Sequence, residues 1–134
     1  KVGPMNAEEM HAGLPATANY RYADVEGPEL FVAGQMPLDS SGALVGEGDP
    51  AIQAVRCLDN LRTLLGVHGF GVTDIRRLVV YVVGEQQALL DAWGAVTAWF
   101  DGEVPPATLL GVHLLGRRNQ LVEVDATIVR REPA

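Results

Sequence analysis

Two different spacings of apolar residues run through this chain. From Leu121 to Val129, Val122, Val124, Ala126 and Ile128 alternate with Leu121, Glu123, Asp125, Thr127 and Val129. A period of two is that of a strand, with one wholly apolar face and one mixed face. Thr108 to Leu115 is a second apolar run, and the polar break Gly116-Arg117-Arg118-Asn119-Gln120 reads as a tight connection between the two. Arg76 to Val83 predicts a further strand, and its unbroken apolar stretch from Leu78 predicts burial on both faces. Asn19–Ala23 and Leu30–Gly34 predict two more, around a turn at Glu26-Gly27-Pro28.

The other spacing is helical. Val55, Leu58, Leu61 and Leu65 recur at intervals of three and four. Asp49 and Pro50 open this helix, as an N-cap acceptor and a first-turn residue with no N–H to lose, and Gly66 and Gly69 can close it. Leu89, Trp93, Val96 and Phe100 form the stripe of a second helix over Gln86–Phe100, stopped by Asp101-Gly102. Residues Met5 to Ala18 carry no period and predict a loop.

The predicted order is therefore β-β-α-β-α-β-β: an α+β fold with one mixed sheet and two helices on one face. Both faces of the closing strands are apolar, with Leu109, Leu115 and Leu121 on one side and Leu110, Leu114 and Val122 on the other. Two helices cover one sheet face, so the second face calls for another copy of the chain, and a homo-oligomer is expected.

Composition narrows the function. A length of 134 residues with 48% hydrophobic content suits one folded domain. Lys1-Val2-Gly3-Pro4 before Met5 reads as a non-native remnant, which leaves residues 5–134 as the domain. The net charge of −7 repels phosphate backbones, which argues against nucleic-acid binding; the cluster Arg117, Arg118, Arg130 and Arg131 reads as a solvated turn and strand end. No apolar run is long enough for a membrane helix, and the single cysteine, Cys57, fits a reducing cytoplasmic setting. His11, His68 and His113 are scattered without ligand spacing, so neither a metal nor another cofactor is expected. Cys57 lies mid-helix and reads as a core residue rather than a nucleophile.

Three stretches carry a resemblance. Pro106-Ala107 precedes a strand, a basic turn and Val122-Glu123-Val124-Asp125-Ala126. Leu30 to Leu38 contains Gly34-Gln35 followed by Pro37, and Leu58-Asp59-Asn60-Leu61 lies in the first long helix. In this order and spacing, from about Leu14 to Arg130, the chain resembles the RidA/YjgF family. The resemblance implies a trimer whose sheets pack into a central barrel, with a ligand cleft at each subunit boundary. It also implies hydrolysis of 2-imino acids or their enamine tautomers to 2-keto acids and ammonia. In that family an arginine after the Pro-Ala pair holds the substrate carboxylate. A tyrosine, a serine before Gly-Gln and an asparagine of the second helix line the cleft, and a glutamate of the last strand positions water.

Carried over by position, the tyrosine is Tyr20, the Gly-Gln pair is Gly34-Gln35 and the glutamate is Glu123. Thr108 stands at the arginine position, Ala33 at the serine and Trp93 at the asparagine. A threonine hydroxyl lacks the two-pronged charged grip of a guanidinium. The expected site thus has Glu123 and Tyr20 as catalytic groups, lined by Thr108, Ala33, Gly34, Gln35, Trp93 and Leu110. Its expected chemistry is acid–base work on an imine, enamine or carbonyl compound other than a free 2-imino acid, within a biosynthetic pathway. Two alternatives stand beside it: a 2-iminobutanoate or 2-iminopropanoate deaminase, and a non-catalytic ligand-binding or chaperone-like module.

Overall fold

A computed structural model describes residues 4–131. Of the expected remnant, residues 1–3 lie outside the described range. The elements are α1 (Ala7–His11), β1 (Ala23–Glu26), β2 (Glu29–Val32), α2 (Pro50–Val67), a 3₁₀ turn (Val72–Asp74), β3 (Ile75–Val83), α3 (Gln86–Trp99), β4 (Ala107–Val112) and β5 (Val122–Val129). The five strands form one sheet in the order β1-β2-β5-β3-β4. Among the described residues, only β3 and β4 run parallel; the other neighbours are antiparallel. The mixed α+β architecture is the one expected.

α2 starts as its sequence dictates, with the Asp49 carboxylate accepting from the Ile52 N–H at 3.0 Å and Pro50 in the first turn. Its inward face is Ala54, Cys57, Leu58, Leu61, Leu64 and Leu65, all buried. Val55, expected in the stripe, stands out in solvent, because the buried face is centred one residue further round. Apart from Leu64, which clusters with Leu14 and Tyr22, these side chains pack against Leu78, Val80, Val82, Val122, Val124 and Ile128, the alternate residues of β3 and β5, with Ala92 and Val96 of α3 closing the layer. Both long helices thus lie on one face of the sheet. The opposite face, with Val79, Tyr81, Val83, Leu110 and Val112, stays partly exposed in the single chain.

Four expectations are corrected. β4 and β5 are not partners: β3 lies between them. β4 is parallel to β3 through the α3 crossover, so the basic turn spans a strand instead of closing a hairpin. The two also start and end differently from the apolar runs, since Leu114 and Leu115 follow β4 and Leu121 precedes β5. The first strand begins at Ala23, not Asn19, because Asn19 takes a left-handed φ of 68° that no strand continues through. Instead Tyr22 is buried, with its hydroxyl donating to Pro15 O at 2.6 Å. Finally, Ala7–His11 is a short helix where a loop was expected. Five residues are too few to display a period; what fixes this turn is tertiary, since buried Glu9 meets His68 at the end of α2 at 2.6 Å.

Candidate active site

Glu123 is the half-buried carboxylate of β5, on the face away from the helices. It sits opposite Tyr81 in the β3–β5 ladder. Its position is set from both sides. Just before β5, buried Gln120 donates through Nε2 to Glu123 Oε1 at 3.1 Å and to Val122 O at 3.0 Å. Gln120 itself accepts from the Arg117 N–H at 3.2 Å, so the basic turn is built into the support of the carboxylate.

On the other side, the chain leaving β2 runs alongside β5. Gln35 N donates to Val124 O at 2.7 Å and Val124 N to Gln35 O at 3.1 Å. That pairing lays Gly34 directly against the Glu123 carboxylate. A Cβ on Gly34 would overlap Glu123 Oε2 and come within 3.1 Å of its Cδ. The glycine is there for close approach, not for backbone freedom. Gly34→Ala should therefore push the flexible carboxylate aside and lower any turnover at least about tenfold, with little change in stability. Steady-state kinetics and a thermal melt on the same sample check this; an alanine variant with unchanged kinetics would show that the carboxylate's position does not matter.

Tyr20 lies close enough to feel that carboxylate. Burial raises its phenol above the ordinary range, and the negative charge of Glu123 adds to the effect. Tyr20 thus keeps its proton and has an O–H available to donate. Ala33 and Gln35 complete the wall: Ala33 N donates to Tyr22 O at 2.8 Å, and buried Gln35 turns its amide back onto Ala33 O at 2.9 Å. Asn60 of α2 anchors this segment from below, donating to Met36 O at 3.0 Å and Leu38 O at 2.9 Å.

The remaining predicted lining residues are elsewhere. Thr108 and Leu110 share the open face with Glu123, but on β4, with β3 in between. Thr108 pairs with Val79 and Leu110 with Tyr81. Trp93 is on α3 and packs against the main core, on the helix-covered side of the sheet, so a single chain does not bring it to Glu123. Cys57 is fully buried, with its Sγ 3.6 Å from Val122 O. Burial pushes its thiol well up, with Glu123's charge adding, which leaves it protonated and structural.

Sequence reasoning missed three members of this face. Gln120 was visible only as part of a polar break. Tyr81 faces Glu123 because β3 does alternate once it is laid beside β5, its inward partners being Leu78, Val80 and Val82. Arg77 reaches across to Thr108, its Nη2 donating to Thr108 Oγ1 at 2.7 Å. Thr108, where the resemblance leads one to expect an arginine, is thus in contact with an arginine from the neighbouring strand.

Comparisons with known proteins bear on the family and the fold. The family model described as Endoribonuclease L-PSP matches residues 10–130. Protein DfrA of Myxococcus xanthus is 29% identical over 105 residues, 77% of each chain. A RutC family protein of Pyrococcus horikoshii is 27% identical over 107 residues, 80% of this chain and 83% of the relative. Among solved structures, the YjgF gene product of E. coli superposes with a TM-score of 0.79 at 25% identity, covering 96% of this chain and all of the other. RidA from an Antarctic Psychrobacter shares the fold, with a TM-score of 0.77 at 19% identity over 88% of this chain and 94% of its own.

Proposed function

The chain belongs to the Endoribonuclease L-PSP family, the RidA/YjgF proteins, and from that premise we propose that it is a small-molecule enzyme working by acid–base chemistry on an imine, enamine or carbonyl compound. The observation that carries this reading is the seating of Glu123: half-buried, oriented by Gln120, and given room by Gly34. For an imine, the Glu123 carboxylate takes a proton from water as the oxygen adds to the C=N carbon, and the protonated Glu123 carboxyl then gives that proton to the nitrogen. As the resulting carbinolamine collapses, Glu123 carries the hydroxyl proton to the nitrogen, the C=O bond forms and the C–N bond breaks, releasing the amine or ammonia. Tyr20, which holds its proton, donates to the substrate oxygen or nitrogen as charge builds there.

The active form we propose is a homotrimer with the cleft at the seam between copies. The support is the partly exposed apolar strip of Val79, Tyr81, Val83, Leu110 and Val112, which the helices leave bare. Thr108 taken alone favours a neutral or bulkier substrate. The bond from Arg77 to Thr108 removes the ground for that preference, and it favours a second reading, the hydrolysis of 2-imino acids to 2-keto acids and ammonia. RNA cleavage, which the family's description names, fits poorly with a net charge of −7.

The test is an assay in which an amino-acid oxidase generates imines in situ and carbonyl release is followed, with neutral imines run in parallel. Catalytic amounts of the protein should accelerate release from at least one class. Saturable ligand binding with no acceleration in either would point to a binding module instead.

A further inference from the structure

We infer that Asn6 is a positioning residue for Tyr20: its side-chain amide holds the tyrosine beside Glu123, and the Glu9–His68 contact fastens the helical turn that carries it. The inference rests on the reading of Tyr20 as a proton donor and adds to it how the donor is held.

The first observation is what Asn6 forgoes. It stands at the N-cap of α1, where an asparagine side chain ordinarily accepts from an N–H of the first turn. Here it makes no such bond. Its backbone takes a left-handed φ of 64°, which asparagine adopts more readily than most residues with a side chain. The amide turns away from its own helix, onto the segment before β1. Its Nδ2 donates to Thr17 Oγ1 at 3.0 Å and to Tyr20 O at 2.9 Å, and its Oδ1 accepts from Tyr22 N at 3.0 Å.

The second is how little else holds Tyr20. It precedes β1 and so has no strand beside it. Among the described residues its N–H bonds to Thr17 Oγ1 alone, at 3.3 Å, and its carbonyl accepts from Asn6 and Thr17 alone. Thr17 is itself bonded by Asn6, so both backbone attachments of Tyr20 lead back to one amide. Tyr22, by contrast, is buried and has anchors of its own in Pro15 O and Ala33 N. The Tyr20 ring lines a small hollow with Gly34 and Gln35, next to the carboxylate.

The third is that α1 is fastened to the body of the fold. Besides meeting His68, Glu9 accepts from Leu14 N through its carbonyl at 3.0 Å, and Leu14 packs with Tyr22 and with Leu64 of α2. A five-residue helix does not persist on its own, so these contacts decide where Asn6 points. The family model matches from residue 10 onward. Asn6 and Glu9 lie ahead of the stretch that carries the family pattern.

The position of Tyr20 is read by 19F NMR of protein carrying 3-fluorotyrosine. The chain has three tyrosines, so Tyr22→Phe and Tyr81→Phe assign the remaining signal to Tyr20. Glu123→Gln should lower the pH at which Tyr20 titrates, since it removes a negative charge that raises it. Asn6→Gly removes the amide and keeps the left-handed backbone easy to adopt. In that variant the Glu123→Gln shift should fall below about half its wild-type size, as distance weakens the coupling. Asn6→Asp keeps an acceptor for Tyr22 N and loses both donors, so it should behave in the same way, and it serves where Asn6→Gly does not fold. A shift as large in these variants as in wild type would overturn the inference.

Kinetics on the imine class that wild type accepts give a second readout. Asn6→Gly should lower kcat at least about tenfold, as expected for a misplaced reacting group, change KM less than about twofold, and add nothing to Tyr20→Phe. Effects that multiply in the double variant would overturn the inference, because Asn6 would then act on the fold and not through Tyr20. If Tyr20→Phe left kcat unchanged while Asn6→Gly still erased the Glu123 shift, the donor reading would fall and the positioning role would stand.

Discussion

Glu123→Gln is expected to lower kcat by about 10²- to 10⁴-fold, the usual range for removing a positioned proton-transfer group. The change is nearly isosteric. The new amide oxygen can still accept from Gln120, so the wall formed by Gly34 and the start of β5 should keep its shape. Glu123 is only half-buried and makes no ion pair within 4.0 Å among the described residues, so the melting temperature should scarcely move. Glu123→Asp keeps the charge but draws the carboxylate back by one methylene, away from Gly34, and should fall in between. Stopped-flow or coupled kinetics on the imine class that wild type accepts give the comparison. A glutamine variant with wild-type kcat would place the chemistry elsewhere.

The largest effect on stability is expected at Gln53. This residue of α2 is fully buried and bonds in four directions. Its Oε1 accepts from Leu121 N at 2.7 Å and Val122 N at 3.3 Å, while Nε2 donates to Gly46 O at 3.0 Å and Asn119 O at 3.3 Å. One amide thus fastens the loop before α2 and the entry to β5 onto a helix. Gln53→Ala strips the partner from buried backbone groups, each costing about 1–3 kcal/mol, and leaves a cavity. A total of about 3–5 kcal/mol follows, a large share of a typical domain's stability, with a fall in Tm of roughly 10–15 °C. Gln53→Leu restores most of the volume and none of the hydrogen bonds, so it should recover only part of the loss. Calorimetry of the three proteins reads this directly; a Gln53→Ala melt within two or three degrees of wild type (about 1 kcal/mol) would refute it. The entry to β5 also sets Gln120 and hence Glu123, so the alanine variant should lose activity even where it remains folded.

Much of this arrangement could be read from local spacing, because local forces decide it. The start of α2 follows from Asp49 and Pro50, which act within one turn. The facing of Glu123 follows from the alternation of β5, since Val122 and Val124 must be buried. What could not be read is what depends on distant partners. Ala7–His11 is helical because Glu9 finds His68, 59 residues away. The pairing of β5 with β3 instead of β4 is a choice of sheet topology, and two adjacent apolar runs look the same under either arrangement. Tyr20 and Tyr22 suggested a strand by their spacing. Asn6 intervenes, its side-chain amide donating to Tyr20 O at 2.9 Å and its Oδ1 accepting from Tyr22 N at 3.0 Å, so these backbone groups are satisfied outside the sheet.

The site divides in the same way. Glu123 stood out by strand alternation, and Tyr20 and Gly34 through the family resemblance; the fold sets Gly34 and Tyr20 beside Glu123. Arg77 went unnoticed because it belongs to a different strand from the residue it attends. Thr108 was visible in the sequence, but its contact with Arg77 of β3 depends on the parallel pairing of Val79 with Thr108.

The central proposal is that Glu123 does its work at a seam between identical copies, with the Arg77 that bonds Thr108 supplied by the neighbour. Mixed oligomers test it most directly. Copies carrying Glu123→Gln and copies carrying Arg77→Gln are tagged differently, co-expressed and purified through both tags, and hydrolysis of 2-iminobutanoate is measured. In a cyclic trimer containing both kinds, one seam in three joins an intact Arg77 to an intact Glu123. The hybrids should therefore recover about a third of wild-type activity and exceed both parent proteins. Hybrid activity no higher than that of the better parent would mean that the two residues do not meet across a seam.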